Sequence, residues 1–165
     1  MAYRLRPAHV NDLPDILAIT NQAIAETDAL WISTPMTLKQ RHDWLMERQK
    51  NHFPVLVVVD KNETILGFGS YGPFRAYEGY KNTVEHSIYA TPSAQGHGLG
   101  RLLLEGLIDE ARRQKLHVMI GAITGGNIAS IRLHEKCGFL HGGLLPETGT
   151  KNERWLDLVL MYLKI

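Results

Sequence analysis

Seven residues, Gln95-Gly96-His97-Gly98-Leu99-Gly100-Arg101, set three glycines at alternate positions just where an amphipathic pattern opens. Glycine lets a backbone approach an anion closely, and the first N–H groups of a helix have no intrahelical acceptor. Such a turn at a helix entry is therefore a phosphate cradle, reinforced by the helix dipole. Arg101 can add a charged donor. Two nucleotide motifs are excluded: a P-loop needs G-x-x-x-x-G-K-[ST] and a dinucleotide fingerprint needs G-x-G-x-x-G, whereas the chain reads G-x-G-x-G. The plain alternative is a glycine-rich helix entry with no ligand, at an entropic cost that an ordinary turn avoids. Upstream, Glu85 is either a base or half of an ion pair, and Arg75 either a fork for a planar carboxylate or an exposed loop residue. His134, Cys137 and His141 lack a clear fourth metal ligand, and Gly69-Ser70-Tyr71-Gly72 has the wrong spacing for a nucleophile elbow.

These residues must be held by an alternation of strands and helices. Residues 3–6 read as a strand; Asn11 or Asp12 caps a helix carrying Pro14 in its first turn, with Leu13, Ile16, Leu17 and Ile24 on one side. Thr37 and Gln40 have capping-box spacing for a second helix, with Leu38, Trp44 and Leu45 apolar and Asn51 and Pro54 ending it. Residues 55–60 and 65–71 form a hairpin about Lys61-Asn62, and residues 83–89 a fourth strand that stops at Thr91-Pro92. From Leu99, apolar residues recur at Leu102, Leu103, Leu107 and Ala111, the clearest helix in the chain. A strand at 117–123, a helix from an Asn127 cap to about Lys136 with Gly138 as terminator, and strands at 139–144 and 155–163 joined by a loop complete the order β-α-α-β-β-β-α-β-α-β-β. The class is mixed α/β (α+β), one domain over residues 1–165.

The 165 residues are 44% hydrophobic and 21% charged with a formal net charge of +1, a balance that points away from nucleic-acid partners and long charged tails. The longest apolar run, residues 158–163, is far short of the roughly 20 residues that span a membrane, so no membrane partner is expected. The first ten residues lack a secretory apolar stretch and Cys137 is the single cysteine, so a reducing cytoplasm is the expected location.

The Q-x-x-G-x-G pattern, between the Thr91-Pro92 bend and the helix, resembles the pyrophosphate-binding motif of the GNAT superfamily of N-acetyltransferases, and the element order agrees along essentially the whole chain. The resemblance implies the GNAT fold, a central mixed, mostly antiparallel sheet flanked by helices, with acetyl-CoA as co-substrate. Gly96, His97, Gly98, Leu99, Gly100 and Arg101 would hold its phosphates. Asn127 and Ser130 of N-x-x-S would assist, and Ile88, Tyr89 and Ala90 would contact the pantetheine mainly through backbone groups. Residues 84–89, the loop 72–80 and residues 21–27 are similar to their counterparts in phosphinothricin and methionine sulfoximine N-acetyltransferases. That likeness implies substrate contacts from Arg75, Tyr77, Glu85, His86 and Ser87, although strand alternation points His86 away from Glu85.

An amine attacking a thioester must be neutral, so a base is required, and Glu85 is the expected one. Arg75 would orient the acceptor's carboxylate and Tyr77 would wall the pocket, as would Trp31. Two departures from the family pattern stand out. His134 occupies the place of a Tyr thought to protonate the departing thiolate, its role open between acid, sulfur contact and satisfied helix residue. Leu156, in Trp155-Leu156-Asp157, stands where phosphinothricin enzymes carry His, so no second catalytic His is expected. The resemblance further implies a ternary-complex mechanism, a small-molecule amine substrate and a homodimer. The alternatives are an acetyltransferase of protein N-termini or other amines, and a non-catalytic acyl-CoA-binding module.

Overall fold

The computed structural model describes residues 2–165. Among the described residues seven strands form one sheet in the order β1-β2-β3-β4-β5-β7-β6: β1 (Arg4–Pro7), β2 (Val55–Val59), β3 (Ile65–Pro73), β4 (Thr83–Ala90), β5 (Val118–Thr124), β6 (Leu140–Lys151) and β7 (Arg154–Lys164). All neighbours are antiparallel except β4 and β5, which run parallel. It is flanked by the helices α1 (Leu13–Glu26), α2 (Leu38–Lys50), α3 (Leu99–Arg113) and α4 (Ile128–Lys136). The expected order of elements is thus present, with short 3-10 turns added at Val10–Asp12, Glu78–Tyr80 and Pro92–Ala94. Among the described residues no helix is long and apolar enough to cross a membrane.

The wholly apolar β2 is buried on both faces because helices cover both sides of the sheet. On one side α3 buries Leu99, Leu103, Leu104, Leu107, Ile108 and Ala111 against Leu56, Val58, Val84, Met119 and Met161. On the other, Leu13, Ile16 and Ile19 of α1 and Leu45 of α2 pack on Val57, Val59 and Phe68. The capping box of α2 is formed: Thr37 Oγ1 accepts from the Gln40 N–H at 3.2 Å, and Gln40 Oε1 accepts from the Thr37 N–H at 2.8 Å.

Two expectations are corrected. Neither Asn11 nor Asp12 caps α1 through its side chain, because the Asp12 carboxylate is taken by Arg6, at 2.7 and 3.0 Å, and by the His9 N–H at 2.7 Å. Residues 145–153 are not a loop but the continuation of β6 into a tight hairpin. The ladder slips between Leu145 and Gly149, around Pro146, which has no N–H to give. Such a slip is tolerated because β6 is an edge strand, and the hairpin closes at Asn152 and Glu153, both with positive φ.

Candidate active site

The parallel pairing of β4 and β5 runs only from Thr83 opposite Val118 to His86 opposite Gly121. Beyond it β4 continues to Ala90 and β5 to Thr124 without pairing, so the strands part and leave a slot between them. Ser87, Ile88 and Tyr89 line one wall, Ala122, Ile123 and Thr124 the other, and Asn127, Ser130 and His134 the end nearest α4. The slot opens onto a cleft of about 860 Å³ between the α3 entry and α4.

The glycine turn forms one lip of that cleft. Gly96 and Gly98 adopt φ of +78° and +77°, a region that side-chain-bearing residues avoid, and among the described residues nothing lies within 4 Å of where their Cβ atoms would stand. The first α-helical bond of α3 runs from the Leu102 N–H to the Gly98 carbonyl at 3.1 Å, so the N–H groups of Leu99, Gly100 and Arg101 precede the helical ladder and have no acceptor within it. Opposite them, the Asn127 side chain caps α4 by accepting from the Ser130 N–H at 3.2 Å. The residues present fit a diphosphate: bare backbone donors, open space and a helix N-terminus converge at one place.

Of the sequence-derived cofactor residues, Ile88, Tyr89, Ala90, Gly96, Gly98, Leu99, Gly100, Arg101, Asn127 and Ser130 all line this cleft. His97 does not; it is exposed and sits 6.4 Å, centroid to centroid, from the Tyr3 ring. Arg101 reaches sideways to Glu105 at 2.7 Å. Sequence reasoning missed Arg132 and Lys136, which add cations to the α4 side of the cleft. Their spacing, a helical turn apart after an Asn127 cap, is the signal that could have found them.

Glu85 and Ser87 are exposed on the α1/α2 face of β4, while Val84 and His86 are buried on the other, so the strand is regular with no bulge. Surrounding protein desolvates the Glu85 carboxyl and raises its pKa, an effect that the nearby Arg75 cation partly offsets. A carboxylate with a raised pKa is a better proton acceptor. Arg75 lies in the loop after β3 with its guanidinium 5.1 Å over the Phe74 ring. Tyr77 is 80% exposed and is not brought to the slot; the expected wall comes instead from the segment after α1. There the Trp31 Nε1–H donates to Thr124 Oγ1 at 2.9 Å, Thr124 Oγ1 donates to the Asp28 carbonyl at 2.6 Å, and Arg154 pairs with Asp28. The buried Lys151 ammonium donates to the carbonyls of Ile24, Thr27 and Leu30 at 2.6–2.8 Å, fixing this segment to the β6–β7 hairpin.

His86 points away from Glu85 into a buried pair with His134. His134 Nδ1 lies 2.7 Å from the Ser130 carbonyl, which can only accept, so Nδ1 carries the proton. His134 Nε2 is then a lone pair, and His86 Nε2, 3.0 Å away, must donate to it. That leaves His86 Nδ1, among the described residues, as a buried acceptor without a partner. Burial, with His134 adding to it, pulls the His86 pKa down to about 3; burial also lowers that of His134, against the opposing Ser130 bond. Both rings are neutral near pH 7, and the one N–H of His134 is directed at α4 rather than into the slot. Cys137 and His141 do not converge with His134: His141 pairs with Glu135. Leu156 is buried, and the Asp157 carboxylate accepts from the Glu147 N–H at 2.8 Å.

The Acetyltransferase (GNAT) family profile matches residues 16–139. An L-methionine sulfoximine/L-methionine sulfone acetyltransferase of Pseudomonas aeruginosa is 47% identical over 165 residues, covering 100% of this chain and 96% of that one. Among solved structures, a ribosomal-protein-alanine N-acetyltransferase from Brucella melitensis superposes with a TM-score of 0.96 at 45% identity, covering 98% and 99% of the two chains. The Salmonella typhimurium protein yncA, solved with its cofactor acetyl-CoA, gives 0.95 at 43% identity, covering 99% and 94%. A glycine cradle at the mouth of α3, two parted parallel strands and likeness along the full length carry one conclusion: the chain belongs to the GNAT acetyltransferase family and is an acyltransferase that uses acetyl-CoA.

Proposed function

We propose that this enzyme acetylates the α-amine of a small amino acid analogue, with L-methionine sulfoximine or phosphinothricin as the preferred acceptor class. The carrying observation is the placement of Glu85, solvent-accessible but partly desolvated and within the field of Arg75, beside the point where β4 and β5 part. The similarity to the Pseudomonas aeruginosa enzyme supports the acceptor class.

In this reading the Gly96–Arg101 backbone, Asn127 and Ser130 hold the phosphates of acetyl-CoA, and the unpaired edge of β4 from Ile88 to Ala90 aligns the pantetheine. Arg75 grips the acceptor's α-carboxylate, placing the neighbouring amine at Glu85. Glu85 removes the amine proton, directly or through one water, and unpaired β4 N–H groups polarise the thioester carbonyl. Attack occurs in a ternary complex; the sulfur leaves as the thiolate and no residue becomes acylated. His86 lines the slot beside His134, to which it donates, on the face of β4 opposite Glu85, whereas Ser87 lies on the acceptor side beside Tyr89.

The protein is proposed to act in the cytoplasm as a homodimer. Leu140, Leu144, Leu145 and Trp155, exposed on the edge hairpin, supply an apolar contact, and Tyr77 is free to complete a partner's pocket. The test is acceptor-dependent thiol release with L-methionine sulfone, L-phosphinothricin and short peptides. A small-amino-acid acceptor should be turned over and Glu85→Gln should lower kcat by about 100-fold or more with the KM for acetyl-CoA unchanged. Activity should fall in acid as Glu85 protonates, at a pH above the ordinary carboxyl value of 4.5. Turnover confined to peptides would favour the second reading, acetylation of protein N-termini, which the Brucella melitensis likeness supports.

A further inference from the structure

Arg41 of α2 carries a half-buried guanidinium that, among the described residues, makes no hydrogen bond or ion pair; its Nε is buried without an acceptor. Its contact is the Trp44 ring, 4.4 Å from the guanidinium carbon. Arg6 and Arg154, by contrast, each have a carboxylate: Asp12 at 2.7 Å and Asp28 at 2.7 Å. Arg48, the other arginine with a buried unpartnered Nε, has Glu47 at 3.3 Å. Burying a cation with no counter-charge costs stability, and such a cost persists where a ligand supplies the missing charge.

Contacts tie Arg41 to the face of β4 that carries Glu85. Trp44 meets Phe68 edge to face at 6.0 Å and Phe68 meets Tyr89 at 5.4 Å, while Glu85, Ser87 and Tyr89 alternate along one side of the strand. Arg41 also lines a cavity of about 450 Å³ with Gln40 and residues 32–36. The wall of that cavity is fixed by the Asn21 amide, which accepts from the Met36 N–H at 2.8 Å and donates to the Met36 carbonyl at 3.0 Å. Burial lowers the pKa of Arg41, Arg48 adds to the effect and Tyr89 opposes it, as befits a cation lacking an anion.

The geometry points to Arg41 as a second acceptor-recognition residue, its guanidinium binding an anionic or strongly polarised oxygen head group at the far end of the acceptor side chain. This rests on the amino acid acceptor proposed above. There the amine and α-carboxylate share one carbon, so both must sit at Glu85 and Arg75. A side-chain head group lies several bonds away, toward the end of the same strand face where Tyr89 is linked to Arg41 through the Phe68 and Trp44 rings. A phosphinate, sulfone or sulfoximine oxygen is the matching chemistry.

The test compares wild type with Arg41→Met on L-phosphinothricin, L-methionine sulfone and L-norleucine, whose side chain is apolar. KM for the two oxygen-bearing acceptors should rise about 10- to 100-fold, while KM for acetyl-CoA and turnover of L-norleucine change little. A thermal shift by methylphosphonate alone should be present in wild type and lost in Arg41→Met, reading anion binding without turnover. The ligand-free variant should melt no lower than wild type, because an unpaired desolvated cation is removed. Equal losses on all three acceptors with a lowered melting temperature would assign Arg41 to packing on Trp44 and overturn the proposal, as would an unaltered methylphosphonate shift. Wild type that turns over none of the three overturns the acceptor reading instead, and the methylphosphonate shift still decides for or against the anion site.

Discussion

The buried His86–His134 pair should make the fold acid-sensitive from about pH 6.5 downward, before most carboxylates begin to titrate. In the unfolded chain a histidine takes up its proton near 6.5, whereas folded His86 does so only at about 3. Between those values the unfolded state binds a proton that the folded state refuses, so stability rises with pH in this window and is lost as pH falls through it. At about pH 4.5 the loss from His86 is roughly 2.7 kcal/mol, two decades of proton affinity at about 1.36 kcal/mol each. His134 is shifted in the same direction and adds to it. For a urea m-value near 2 kcal/mol/M, the unfolding midpoint should drop by about 1.3 M or more between about pH 7.5 and 4.5. His86→Gln keeps an N–H to offer His134 Nε2 but cannot take up a proton. It should be less stable at neutral pH by about 1–2 kcal/mol, through imperfect fit beside Phe139, yet decline less steeply in acid. The assay is urea denaturation of both proteins across that range, read by tryptophan fluorescence. Carboxylate pairs such as Arg6–Asp12 are common to both and cancel in the difference. Parallel pH dependences for wild type and His86→Gln would refute the assignment of a neutral, buried pair.

Lys151→Met should leave the carbonyls of Ile24, Thr27 and Leu30 without their shared donor, costing about 3 kcal/mol, with amide exchange accelerated first in residues 27–31. Gly98→Ala meets open space but a φ of +77°, so it should cost about 1–2 kcal/mol in backbone strain, seen as a lower melting temperature, and weaken acetyl-CoA measurably by calorimetry. Gly121→Ala places a methyl 3.0 Å from the His134 ring and 3.3 Å from His86 Nε2; it should destabilise the protein and flatten the acid dependence described above.

The cofactor turn was legible in sequence because its causes are local. Positive φ at Gly96 and Gly98, the helix that opens at Leu99 and the cap at Asn127 each need only neighbouring residues. The alternation of β4, which parts Glu85 from His86, was legible for the same reason. What escaped notice depends on distant partners. Asp12 reads as a helix cap until β1 brings Arg6 to it, and Pro146 reads as a loop marker until an edge position lets the ladder slip around it. The His86–His134 bond requires Gly121 on a third element to leave room for two rings, and no spacing between residues 86 and 134 announces that. Arg41 looks like any helix arginine in sequence; only packing shows that, among the described residues, its buried Nε has no acceptor.

The central claim is that the glycine turn at the mouth of α3 grips the diphosphate of CoA. Calorimetric titration of the protein and of Gly98→Ala with CoA and with pantetheine, which lacks the diphosphate and the adenosine 3′-phosphate beyond it, tests it most directly. CoA should bind at least about a hundredfold more tightly, the equivalent of roughly two charge-assisted hydrogen bonds, and Gly98→Ala should narrow that gap. Equal affinity for the two, or a gap that Gly98→Ala leaves intact, would place the phosphates elsewhere and contradict the account.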